Sequence, residues 1–98
     1  MKLRMIPLAR REMLRAARWY DRHRDQLGDR FLDELRVGFL AIVEFPSAHP
    51  SVAPDVRRWL FKDVPYGIIY RIERDTIVII AIANLKRRPR YWVRRKSA

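Results

Sequence analysis

An α+β fold, a helical hairpin packed on a small, mostly antiparallel sheet, is what this 98-residue chain predicts. Three observations point to it. Apolar residues recur at helical spacing up to Phe45, the period falls to two from Val56 onward, and Glu73-Arg74-Asp75 separates two apolar runs as a tight hairpin turn does. The implied order is β-α-α-β-β-β, in one domain spanning residues 1–98.

Lys2–Ile6 alternates polar and apolar residues, the pattern of a short strand, and Pro7 suits either its end or a first helical turn. From Leu8 to about Arg24 the spacing is helical. Met13, Ala16, Ala17 and Tyr20 share one face, while Arg11, Arg15, Arg18 and Arg22 line another. Leu27-Gly28-Asp29 reads as a break, with Gly28 ending the first helix and Asp29 capping the second. In that second helix Phe31, Leu35, Gly38, Phe39 and Ile42 form one stripe, and Pro46 stops it after Phe45. Residues 47–54, with Pro50 and Pro54, form a loop. Three strands follow, at Val56–Phe61, Tyr66–Ile72 and Thr76–Ala83; the last is apolar on both faces, as a central strand covered on both sides requires. A short C-terminal turn or tail follows from Arg88. Neither helix can bury its apolar stripe alone, so the sheet must receive the hairpin.

The bulk composition excludes several function classes. No cysteine is present, so disulfides, thiolate zinc sites and thiol catalysis are out, and His23 and His49 lack metal-ligand spacing. No cofactor or metal is expected. No stretch approaches the ~20 consecutive apolar residues that cross a bilayer, and the charged N-terminal segment is not a secretory signal, so a cytoplasmic protein is expected. Charge is the loudest feature: 22 Lys+Arg against 11 Asp+Glu, a net +11, which favours polyanions or acidic partners. It is also concentrated. The last 13 residues, from Lys86, carry seven basic side chains and no acid.

That basic stretch also holds Tyr91 and Trp92. Arginines neutralise phosphates and rings stack on splayed bases, so the tail has a nucleic-acid signature; the same rings also suit a fold-back over the sheet end. Arg71, mid-strand beside Tyr70, either pairs with Glu73 on its own face or faces a ligand groove, and the ion pair is preferred. Arg57 and Arg58 point to opposite faces, so one joins whichever face carries the tail. Trp19 is expected to be partly exposed, on the helix bearing the arginine row.

Together, the helical pair "ARWYDRHRDQLGDRFLDELRVGFLAIVEFP" and the run "VRRWLFKDVPYGIIYRIERDTIVIIAIANLKRRPRYWVRR" resemble the RelE/ParE superfamily of bacterial type II toxins, which includes plasmid stabilisation proteins. The likeness covers nearly the whole chain and rests on the order and spacing of its pieces. PYGIIYRI, a polar turn, an apolar strand and the basic R-x-P-x-Y-W ending look most like the ParE branch.

The resemblance implies a growth-arresting toxin neutralised by a cognate antitoxin, whose acidic amphipathic segment would wrap Arg11, Arg15, Arg18, Trp19 and Arg22 in a toxin–antitoxin hetero-oligomer. ParE-like toxins act on DNA gyrase, and RelE-like ones cut mRNA in the ribosome. For a target, the expected contacts are Arg71, Asn84, Lys86, Arg87, Arg88, Arg90, Tyr91 and Trp92. The alternative, ribonuclease reading would use Arg58, Arg87 and Tyr91, since metal-free cleavage needs proton transfer and cations at the phosphate. Two departures weigh against it. Gly67 stands where such nucleases carry arginine, and Asn84, near where many ParE-like chains have histidine, cannot exchange protons near neutral pH. No catalytic residue is assigned. A non-toxic nucleic-acid-binding module is the third reading.

Overall fold

The computed structural model describes residues 1–23 and 27–97. Its elements are β1 (Lys2–Met5), α1 (Pro7–His23), α2 (Leu27–Glu44), β2 (Ser51–Ala53), β3 (Val56–Leu60), β4 (Tyr66–Glu73) and β5 (Thr76–Asn84). The expected helix end near Arg24 lies outside the described residues. The sheet order is β1-β5-β4-β3-β2. β1 runs parallel to β5, and the other pairings are antiparallel. The strand expected to be central, β5, is interior, between β1 and β4, and is buried from Ile77 to Ala83. Its continuous apolar run is explained by cover on both faces.

Two details differ from the sequence reading. The 47–54 loop contains a three-residue edge strand, β2, paired with β3 through an irregular register. Three residues between Pro50 and Pro54 are too few to show alternation; the turn into β3 closes with Asp55 at φ 59°, a left-handed conformation that aspartate tolerates. The second concerns Gly28, which does not end a helix. It lies in the first turn of α2 without a positive φ. A Cβ there would lie 2.8 Å from the Ala17 carbonyl oxygen and would strike the Asp21 side chain. Gly28 is thus the point where α1 and α2 approach too closely for any side chain. Asp29 sits inside that first turn, its carboxylate near the positive end of the helix dipole, rather than ahead of it as a cap.

The hairpin packs on one face of the sheet. Phe31 of α2 stacks on Phe61 and meets Tyr66 edge-on, and the Tyr70 hydroxyl donates to the Pro46 carbonyl just past α2, at 2.6 Å. Side chains alternate along a strand, so Arg58 and Ile69, which are register partners, belong to the opposite, helix-free face. The C-terminal tail reaches that face.

Candidate functional site

The chain leaves β5 through a side-chain-supported turn. Asn84 Oδ1 accepts from the Lys86 N–H at 3.0 Å, and the Asn84 carbonyl accepts from the Arg87 N–H at 3.1 Å. Tight turns then follow, closed by N–H donation from Tyr91 to Arg88, Val93 to Arg90 and Arg95 to Trp92. Arg90 takes φ 60° on the way. This winding puts Arg87, Tyr91 and Arg95, each four apart, against α1.

What they meet there is Glu12. Its Oε1 accepts from Arg95 Nη1 at 2.7 Å, and its Oε2 accepts from Arg95 Nη2 at 3.0 Å and from the Tyr91 hydroxyl at 2.5 Å. Arg87 adds a longer ion pair at 3.5 Å, with its guanidinium 3.7 Å from the Tyr91 ring centroid. The Glu12 and Arg95 side chains are only 13% and 14% exposed. Backbone geometry explains the need for both. β1 covers β5 only through Ile79. Beyond it, the Ile82 N–H donates to Glu12 Oε1 at 3.1 Å and the Ile80 carbonyl accepts from Arg95 Nη1 at 3.0 Å. Two side chains thereby satisfy the strand edge that β1 is too short to reach.

Burial and the Glu12 carboxylate both hold the proton on Tyr91, pushing its pKa well above the ordinary 10.0. Tyr20, Tyr66 and Tyr70 are raised as well, chiefly by burial. All four tyrosines of the chain therefore favour the neutral form when folded. A group whose folded pKa exceeds its unfolded value stabilises fully below the unfolded value and loses that contribution as pH rises through the folded one. At pH 10.0, the ordinary tyrosine pKa, ultraviolet titration should therefore find fewer than half the tyrosines ionised. Ionisation at higher pH should coincide with loss of the fold. Half-ionisation at that pH, with circular dichroism unchanged, would contradict this.

On the helix-free face the tail and strands enclose a groove of about 410 Å³. Arg58, Arg87, Arg88 and Arg90 line it, together with Val52, Leu60, Leu85 and Trp92, and no carboxylate does. Gly67 makes room for the Arg58 stem: a Cβ there would sit 3.2 Å from Arg58 Cγ and 3.3 Å from Cδ. Arg58 Nε is buried and has no hydrogen-bond partner among the described residues. Arg57 turns the other way and donates to the His49 carbonyl at 2.7 Å.

A second groove, of about 350 Å³, lies between α1 and the end of β5. Arg15 and Trp19, expected to meet an antitoxin, share it with Asn84 and Lys86, expected to meet a target. Two surfaces that are separate in sequence are therefore contiguous. Arg11, Arg18 and Arg22 are exposed along α1, and Trp19 is 50% exposed with its ring stacked on His23.

Other expected site residues are placed differently. Trp92 is 5% exposed and belongs to the core, and the Tyr91 hydroxyl is turned to Glu12, so both rings fold back onto the protein. Arg58 and Arg87 share the helix-free groove, but Tyr91 does not line it: its hydroxyl is turned to the Glu12 oxygen that Arg87 also approaches. Arg71 lies apart from both grooves. It donates to the Arg95 carbonyl at 2.9 Å and to Ser97 Oγ at 3.4 Å. The preferred Arg71–Glu73 ion pair does not form; the Ser97 hydroxyl, which donates to Glu73, stands between them. The serine tethers the tail and so replaces the pair. Glu12 and Arg95 were missed altogether. The usable signal was the four-residue spacing of Arg87, Tyr91 and Arg95, opposite a helix with few acids.

Among the described residues no helix is long and apolar enough to cross a membrane, and no cluster of histidines and carboxylates could hold a metal. Residues 3–89 match the family model described as the ParE toxin of type II toxin-antitoxin system, parDE. Among solved structures, one described as "Chromosomal ParDE TA system from P. aeruginosa" is similar, with a TM-score of 0.65 at 16% identity, covering 88% of this chain and 97% of that one. A search of curated proteins found no match.

Proposed function

The chain belongs to the ParE toxin family of type II toxin-antitoxin systems, and from that membership we propose that it arrests growth by binding DNA gyrase, without catalysing a reaction, until a cognate antitoxin neutralises it. The observation that carries the binding reading is the commitment of Tyr91. Its hydroxyl donates to Glu12 and its proton is held above the ordinary range. Asn84 exchanges no proton, and the groove cations are arginines, whose guanidinium groups donate hydrogen bonds and make poor bases. Cutting RNA needs one group to take a proton and another to give one. Binding needs neither.

The antitoxin reading is supported by surface chemistry. Arg11, Arg15, Arg18 and Arg22 lie exposed along α1, and α2 and its end present Val37, Leu40 and Phe45 at 58%, 71% and 61% exposure. An acidic amphipathic segment matches both surfaces, in a hetero-oligomer formed in the cytoplasm, where gyrase works.

Added to a gyrase reaction, the purified protein should block supercoiling and leave gyrase trapped on cleaved DNA. Prior mixing with the protein encoded beside it should restore activity. No effect at excess toxin would remove gyrase as the target, and codon-phased mRNA cleavage in a translation extract would move the target to the ribosome.

A further inference from the structure

The helix-free groove holds an unspent donor. Arg58 Nε is buried without a partner among the described residues, although burying an N–H unpaired is costly. Arg88 and Arg90 stand on the same groove, and none of the three arginines is in an ion pair among the described residues. Arg90 is moreover held at φ 60°, where glycine would be less strained. Three like charges and an orphan donor converge on one opening with no acid in its lining. Such an arrangement disfavours the empty protein and is relieved by an anion.

Apart from the cations and Asn84 the lining is apolar, with Leu60 48% and Leu85 44% exposed. A volume of about 410 Å³ falls in the range of small-ligand sites, roughly 300–1,000 Å³. We propose that this groove binds one nucleotide of a single-stranded nucleic acid, with its phosphodiester on Arg58, Arg88 and Arg90 and its base against Leu60 and Leu85, without cleaving it. A duplex would bring phosphates to the rim but leave the apolar wall unused. An acidic peptide would use the cations, but three arginines converging on one opening suit the several acceptor oxygens of a phosphodiester better than a single carboxylate.

Two substitutions test this without threatening the fold. Arg58→Met keeps the stem that packs over Gly67 and deletes the orphan donor, so its melting temperature should equal or exceed the parent's. Arg90→Gly removes a cation where the backbone already favours glycine. Labelled oligothymidylate and oligouridylate, followed by anisotropy at several salt concentrations, separate DNA from RNA as the source. Each variant should weaken binding roughly ten-fold and lower the slope of log K against log salt by about 0.7. Gels should show intact oligonucleotide. Arg10→Gln, the same charge change at an exposed residue of α1, should have a much smaller effect.

An equal loss in Arg10→Gln would overturn the site in favour of net charge, and unchanged binding in both groove variants would overturn it outright. Tighter, Arg58-dependent binding of oligoglutamate would assign the groove to an acidic chain instead. A lower melting temperature for Arg58→Met would count against the proposal by giving the buried N–H a structural role. The assay contains no gyrase, so failure here and failure of the gyrase reading are separable.

Discussion

Replacing Glu12 by alanine should lower the unfolding free energy by about 3 kcal/mol, the lower end of the cost of removing one partner from a buried ion pair, since this pair keeps some exposure. The change leaves Arg95, 14% exposed, with no carboxylate, and it orphans both the Ile82 N–H and the Tyr91 hydroxyl. Glu12→Gln should cost less, since its amide oxygen still accepts and its shape is kept. Urea denaturation measures the loss. Hydrogen exchange should show residues after Arg87 losing protection first, because Glu12 is what joins the tail to α1. A change below about 1 kcal/mol, within reach of ordinary surface substitutions, would mean that Trp92 and the Arg71 and Ser97 contacts anchor the tail without Glu12.

Phe31→Ala should cost a similar amount, about 3–5 kcal/mol for an aromatic deleted from a core. Phe31 is 0% exposed, and its ring centroid lies 5.7, 5.1 and 5.3 Å from those of Tyr20, Phe61 and Tyr66. It touches rings from α1, β3's end and β4 at once, so the void cannot be filled by a single neighbour's rotation. The effect should reach the α1 groove, which Tyr20 and Tyr66 line. Water entering the void would relieve their burial and bring their pKa values back toward 10.0. Urea unfolding and ultraviolet titration of the variant check both halves. Phe31→Leu should recover most of the stability; if it is as damaging as alanine, ring geometry rather than volume is what the cluster needs.

The elements were legible because each carries its own period. The stripe from Phe31 to Ile42 declares a helix whatever it packs on, and the apolar run from Ile77 to Ala83 declares a doubly covered strand. β2 was not legible, since three residues carry no period. Gly28 was misassigned because glycine serves both helix ends and close helix crossings, and only the nearness of Ala17 and Asp21 distinguishes them. Within the candidate site, the cations from Lys86 to Arg90 were evident from composition. That one of Arg57 and Arg58 joins them followed from strand alternation, and the ribonuclease alternative named Arg58; that Arg71 instead ties down the tail was not legible.

Fold class, the order of the helices and main strands, the basic tail and the family likeness follow from the sequence by itself, because local periodicity and composition are properties of neighbouring residues. Which charges are spent and which are free was decided only by tertiary structure. Glu12 finds the Ile82 N–H, Tyr91 and Arg95 across separations of 70, 79 and 83 residues. Arg58 meets the tail only because the sheet brings β3 beside it. An arginine held by a largely buried carboxylate and one facing an open groove have the same letter in the chain. Their difference is the desolvated partner each does or does not have.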